Sequence, residues 1–274
     1  MISKLLKLIF RNFPILKGKL WKFWYTYLGS KVITPELKFM NYGYFRNDFK
    51  PQLSQDDEKE RFPIHLYHYL CSKSSLNNVR VLEVGCGRGG GADYISRTFT
   101  PKQYHALDIS PTAIQLCNNF YKSDNLSFHV GSADELPFDN QFFDVVINVE
   151  SSHCYPNFNK FLLEVKRVLK SDGELLITDF RSSSEFSDFD KLINENFEII
   201  SYEDITENIL LALDEMSEKR KKQIKYFLPN FLSNISSSFA GIKGSELYES
   251  FVNRDLVYHM YVLKSIKKIL KTNF

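Results

Sequence analysis

The chain of 274 residues is 43% hydrophobic and 25% charged, the make-up of a soluble globular protein, which excludes disordered, collagen-like and coiled-coil chains. Lys+Arg 35 against Asp+Glu 33 leaves a net charge of +2, too balanced for a surface built to hold nucleic acid. Four cysteines, Cys71, Cys86, Cys117 and Cys154, form no CxxC pair and no zinc spacing, so they are expected as reduced thiols in a cytoplasmic protein without a bound metal.

The first segment, residues 1–28, carries Lys4, Lys7, Arg11, Lys17, Lys19 and Lys22 with no acid, interleaved with Leu5, Leu6, Ile9, Phe10, Phe13, Leu16, Trp21, Phe23 and Trp24. It has neither the apolar run of a membrane span nor the cleavage site of a signal peptide. A basic amphipathic helix of this kind suits peripheral contact with an anionic membrane, and it equally suits a helix capping the core with its lysines in solvent. Pro14, Pro35, Pro51 and Pro63 cut residues 1–75 into short pieces, read as a mostly helical basic and aromatic cap.

From residue 76 to 274 the reading is one domain. Strand-like runs fall at 79–84, 104–108, 126–130, 143–149, 174–178 and 197–201, alternating with helical segments at 92–98, 111–121, 158–169 and 187–194. The strands are apolar nearly throughout, as when helices cover both faces of a sheet. The expected fold is therefore α/β, a doubly wound sheet, with a helical lid inserted at 203–254 before a last strand at 256–263.

The first strand runs Val81-Leu82-Glu83-Val84 into Gly85-Cys86-Gly87-Arg88-Gly89-Gly90-Gly91. Strand, glycines and helix together let a backbone approach a cofactor closely. Gly85, Gly87 and Gly90 with Asp108 about 20 residues on also satisfy the dinucleotide fingerprint, so the loop alone leaves NAD(P) and S-adenosylmethionine both open. Glu83 argues for the second, because a dinucleotide fold places an apolar residue there and a buried carboxylate needs a cation or donors. Further on come Gly131-Ser132-Ala133-Asp134-Glu135-Leu136-Pro137-Phe138, Phe143-Asp144-Val145-Val146-Ile147-Asn148, and Leu169-Lys170-Ser171-Asp172-Gly173-Glu174-Leu175-Leu176-Ile177.

This ordered set, over about residues 79–181, resembles the class I S-adenosylmethionine-dependent methyltransferases. The resemblance implies a Rossmann-like, seven-stranded, mostly parallel sheet and S-adenosylmethionine as cofactor. It further implies that Gly85, Gly87 and Gly89 line the methionine half, that Asp108 accepts from the ribose hydroxyls, and that Ile109 packs on the adenine. Asp134 would accept from the adenine amine beside Ala133, Asn148 would close the methionine end, and Glu83 would face the cofactor's ammonium or a network around it. Phe39-Met40-Asn41-Tyr42-Gly43-Tyr44, Asn148-Val149-Glu150-Ser151-Ser152-His153-Cys154-Tyr155-Pro156, Phe239-Ala240-Gly241-Ile242-Lys243-Gly244 and Tyr258-His259-Met260-Tyr261 look like the mycobacterial phthiotriolone/phenolphthiotriolone dimycocerosate methyltransferases. That similarity implies O-methylation of a hydroxyl on a lipid-like or polyketide acceptor, with Tyr42 closing over the cofactor. Residues 1–28 are unmatched in it.

An alcohol is a poor nucleophile while protonated, so its methylation gains from a base titrating near neutrality. His153, four residues beyond the fourth strand, is the expected base, with Glu150 or Tyr155 orienting it or the acceptor. His65 and His68 are second choices. An apolar acceptor accords with 24 Phe and 15 Tyr, several of them in 226–232 and at Phe239. Carbon methylation of a prenyl quinone or sterol-like ring, a non-catalytic cofactor-binding scaffold and an oxidoreductase are the competing expectations.

Overall fold

The computed structural model describes residues 38–227 and 241–265. The basic stretch 1–28, most of the aromatic run 226–232, and Phe239 lie outside them.

Seven strands form one sheet: β1 Arg80–Val84, β2 Gln103–Asp108, β3 Leu126–Val130, β4 Phe143–Val149, β5 Leu169–Ser182, β6 Phe197–Asp204 and β7 Leu256–Ser265. Their order is β3-β2-β1-β4-β5-β7-β6, parallel apart from β7, which runs antiparallel to both β5 and β6. The expected doubly wound fold is the observed one. The chain turns outward in opposite directions from β1 and β4, so a crevice opens beyond their carboxyl ends.

The helices are α1 Arg61–Cys71, α2 Gly90–Thr98, α3 Pro111–Phe120, α4 Phe158–Val168, α5 Phe186–Asn196, α6 Thr206–Phe227 and α7 Glu246–Val252. The Oγ of Ser110 accepts from the N–H of Ala113, with Pro111 opening α3, as the sequence foretold. One face of the sheet buries Tyr67, Tyr94, Ile95 and Ile114 with Ile209, Leu213 and Phe251. The other buries Phe161, Leu162, Val165, Phe189 and Ile193. Because strand side chains alternate, Val81 and Glu83 point to the first face while Leu82 and Val84 point to the second.

Two boundaries differ from the sequence reading. The run expected at 174–178 belongs to the longer β5, whose pairing with β4 slips between Phe143 and Val145, so Ser171-Asp172-Gly173 is a bulge within a strand. The cap, expected to be mostly helical, has no helix at 38–56. That segment is a strap whose backbone bonds reach far along the chain: Tyr44 N–H to Phe62 O at 2.9 Å and Phe45 N–H to Asn208 O at 3.1 Å. Long-range partners replace the i to i−4 ladder a helix would supply. Among the described residues no helix is long and apolar enough to cross a membrane.

Candidate active site

At the carboxyl edge of the sheet, β1 ends in Gly85, Gly87 and Gly89, all left-handed at φ 82°, 54° and 76°. Side-chain-bearing residues avoid that region, so these glycines set the turn. The turn is held by its own backbone, Gly85 and Cys86 N–H both donating to Leu107 O at 2.7 and 3.0 Å. Gly90 and Gly91 serve another purpose. A Cβ at 90 would lie 2.6 Å from Lys38 O, and one at 91 would lie 2.1 Å from Tyr67 Cζ. These two glycines are the surface on which the cap docks.

Glu83 is fully buried and its two carboxylate oxygens accept from Tyr67 Oη at 2.8 Å and Tyr104 Oη at 2.9 Å. Burial pushes it up to about 7 against the pull of the two phenols, with Asp108 adding to the rise. The donors that the sequence argument demanded for Glu83 thus come from the protein itself. Tyr67, from the cap helix, was not foreseen in this role.

Asp108 ends β2 and accepts from Gly87 N–H at 2.9 Å and Ser110 N–H at 2.9 Å. Burial raises its carboxyl above the ordinary range while these N–H groups pull it back. Ile109 beside it is 52% exposed, an apolar side chain lying open at the rim of the crevice. Beyond β3, Gly131 N–H donates to Asp108 O at 3.0 Å, bringing Ala133 and Asp134 to the same edge. Asn148, at the end of β4, lies within 2.9 Å of Val84 O and of Tyr155 Oη through its Nδ2. Two buried acceptors, Asp134 Oδ1 and Asn148 Oδ1, have no hydrogen-bond partner. A buried orphan acceptor costs about 1–3 kcal/mol, so each is a place where a ligand donor would be welcomed.

The second half of the site lies past β4. Glu150 sits at φ 44°, uncommon for a residue with a side chain. Its Oε1 accepts from Tyr42 N–H at 2.7 Å and Tyr258 Oη at 2.8 Å, tying the strap to the sheet. Burial pushes Glu150 up to about 7, these two bonds opposing it and Asp179 adding to it. The short 3₁₀ turn Ser152–Cys154 then presents His153, whose Nδ1 meets Asp179 Oδ1 at 2.8 Å. His153 N–H also donates to Asp179 Oδ2 at 2.9 Å, and Ser152 Oγ to the same oxygen at 2.6 Å. Burial favours the neutral imidazole, but the Asp179 carboxylate and the Cys154 thiol outweigh it and push His153 up to about 10. Burial alone would raise Asp179, yet the charges of His153 and Arg181 hold it well below the usual carboxylate range.

Aromatic rings wall this dyad. The His153 ring lies 4.5 Å from that of Phe180, which in turn is 5.4 Å from Tyr42 and 5.9 Å from Phe251. Tyr42 is nearly buried, with the Arg220 guanidinium 5.5 Å from its ring centre. The partner that orients His153 is therefore Asp179, which sequence reasoning did not single out. Glu150 is turned toward the strap, and the Tyr155 hydroxyl donates to Val84 O at 3.3 Å beside Gly85. His68 is committed through Nδ1 to Tyr94 Oη at 2.6 Å, and His65 packs edge-on against Phe49 and Phe62. No group of three or more metal-binding side chains occurs among the described residues.

A family model described as a methyltransferase domain matches residues 82–177. Over 245 residues, 89% of this chain and 91% of the other, the sequence is 37% identical to the phthiotriol/phenolphthiotriol dimycocerosates methyltransferase of Mycobacterium leprae. This chain belongs to the class I S-adenosylmethionine-dependent methyltransferases. The methyltransferase is also 33% identical over 239 residues, 86% of each chain, to a fatty-acid O-methyltransferase of Mycolicibacterium smegmatis. Its fold matches that of geranyl diphosphate C-methyltransferase from Streptomyces coelicolor A3(2), crystallised with Mg2+, geranyl diphosphate and S-adenosyl-L-homocysteine. That match has a TM-score of 0.62 at 15% identity and covers 88% of the methyltransferase and 98% of the other chain. Its cofactor is S-adenosylmethionine, and the acceptors named for its sequence relatives are lipids.

Proposed function

We propose that the enzyme methylates a hydroxyl oxygen on an apolar, lipid-like or polyketide acceptor, with His153 as general base and Asp179 holding its ring. The observation that carries this reading is the 2.8 Å contact of His153 Nδ1 with Asp179, with the Phe180 ring 4.5 Å from the imidazole. With Nδ1 on Asp179, we assign proton acceptance to Nε2, and the carboxylate stabilises the imidazolium that forms when the acceptor gives up its proton.

The residues present fit the cofactor. Asp134 Oδ1 and Asn148 Oδ1 are orphaned acceptors, and an adenine amine and an amino-acid ammonium are the donors they lack. Asp108 is the acceptor for the ribose hydroxyls, Ile109 the apolar surface under the base, and Gly85, Gly87 and Gly89 the backbone that admits close approach. When bound, S-adenosylmethionine supplies the electrophilic methyl group on a sulfonium. Tyr42 and Phe180 exclude water from the acceptor side, where the loss of the sulfonium charge favours a poorly solvated site. Pushed up to about 10, the His153 ring without cofactor is imidazolium at neutral pH, so base catalysis requires that the sulfonium charge of the bound cofactor lower it enough to yield the neutral, basic form.

Single-turnover rates of wild type and His153→Ala on long-chain alcohols and fatty acids, with mass spectrometry of the product linkage, test the assignment. The expected result is an ether product and a strong dependence on His153 with alcohols. A carboxylic acid is already ionised at neutral pH and needs no base. Equal rates for the two proteins on the alcohol, or a carbon-linked product, would defeat the proposal. Residues 1–28 lie outside the described part, and from their basic amphipathic sequence we propose docking on anionic bilayers. Flotation with anionic vesicles, with and without that segment, decides it, equal partitioning counting against.

A further inference from the structure

Asp179 serves more than His153. On the side away from the imidazole its Oδ2 lies 3.4 Å from Arg181 Nη1, and Arg181 Nη2 donates at 2.8 Å to Ser152 Oγ, which itself donates to that same Oδ2. The guanidinium lies over the stacked pair Phe189 and Phe158, 4.3 Å and 5.2 Å from their ring centres. Its side chain is only 10% exposed, so solvent does little to screen its charge. Arg181 is therefore a fixed, permanent cation sharing one carboxylate with a titrating one.

We propose that Arg181 is a positioning residue that sets the protonation balance of His153, by sharing the Asp179 carboxylate so that the imidazolium is held less tightly than a lone carboxylate would hold it. The proposal rests on the reading of His153 as a base. An isolated carboxylate against a sheltered imidazole stabilises the imidazolium strongly, and a base that cannot release its proton cannot accept another. Arg181 divides that field. Its charge on Oδ2 offsets part of the field that the carboxylate exerts on the ring, while Oδ1 keeps hold of Nδ1.

The other groups facing His153 bear on its titration but do not duplicate this. From the loop past β4 come Cys154 and the carboxyl of Glu150. The strap brings the Tyr42 phenol, α6 brings Arg220 behind that phenol, and β7 brings Tyr258, which is bonded to Glu150. Among the described residues, Arg181 is the cation in direct contact with Asp179 on the side opposite the imidazole.

The test is an NMR titration of the His153 ring in the full-length enzyme, without cofactor, in wild type, Arg181→Met, Arg181→Gln and Arg181→Lys. Calorimetric binding of S-adenosylmethionine serves as the control for folding. Loss of the cation is expected to raise the His153 midpoint by about one pH unit, a tenfold change in protonation equilibrium. The acidic limb of the kcat/KM profile should move with it, and Arg181→Lys should restore most of both. Ser152→Ala, which cuts the hydroxyl bridge without removing the charge, should shift the midpoint in the same direction by less. An unchanged midpoint in the neutral variants, or in Ser152→Ala should those not fold, overturns the proposal. So does a shift that lysine fails to reverse. The ring titration is independent of turnover. If His153→Ala keeps wild-type rates while the midpoint still follows Arg181, it is the assignment of the base that fails.

Discussion

The two halves of this site are held by different means. Around Gly85–Asp108 the contacts are made by backbone, with N–H groups of residues 85, 86, 87 and 110 closing on Leu107 and Asp108. Past β4 the contacts are made by side chains brought from remote parts of the chain, as with His153 and Asp179 or Tyr258 and Glu150, 108 residues apart. On the proposed reading, the first arrangement is the receptacle for the cofactor. The second places titrating groups whose charge depends on one another, as chemistry on an acceptor requires.

If that division is right, damage to each half should show in different measurements. His153→Ala should lower single-turnover rates on an alcohol by about 10²–10⁴-fold with cofactor affinity nearly unchanged. A parallel loss of cofactor binding would erase the distinction.

A second test concerns the buried carboxylates. Burial pushes Glu83 and Glu150 both up to about 7, above the ordinary glutamate range, so the folded protein binds protons there that the unfolded chain has released. Their contribution to stability is complete below about pH 4.5 and is lost as the pH climbs through about 7. Glu83→Gln should remove its share, worth up to about 3 kcal/mol, and so make the unfolding free energy fall less, or rise more, with pH in that window. Denaturant unfolding between pH 5 and 8 measures it, and an unaltered slope would show that Glu83 stays ionised.

Smaller effects follow. Asp108→Ala should weaken S-adenosylmethionine binding by about 2–3 kcal/mol in calorimetry while sparing turnover at saturation. Gly91→Ala must push Tyr67 aside, at about 1–3 kcal/mol of stability, read as a lowered Tm. Its cofactor affinity should drop as well, since the same tyrosine holds Glu83 beneath the glycine turn.

The contrast also explains what could be read from the sequence. The glycine turn, Asp108 and the alternation of strands and helices were legible because strand, turn and helix are consecutive and their chemistry follows from spacing. Ser110 and Pro111 announced a helix start by local rules alone. Asp179 was not legible because it closes on His153 from 26 residues away, and Asp179-Phe180-Arg181 reads merely as the frayed end of a strand. A signal was nonetheless there. Asp179 follows Leu175-Leu176-Ile177-Thr178 in a strand buried on both faces, and a carboxylate in such a place must have partners, by the reasoning applied to Glu83. Tyr67 was hidden differently, since an aromatic residue on a helix looks like ordinary core. Only the surplus of glycines at 90 and 91 hinted that something large must come close. The path of the strap at 38–56 was not legible because aromatic and basic residues between prolines carry no mark of whether their backbone partners are near or far.

Tyr67 occupies the dent left by Gly91 and also supplies a hydroxyl to Glu83. A chimera that grafts another enzyme's amino-terminal segment onto this sheet would therefore inherit a hole beside α2 and an unquenched carboxylate under the turn, unless its incoming helix carried a tyrosine at the matching place. Exchanging acceptor preference between relatives by swapping these segments thus has to move residues 67, 83 and 91 together.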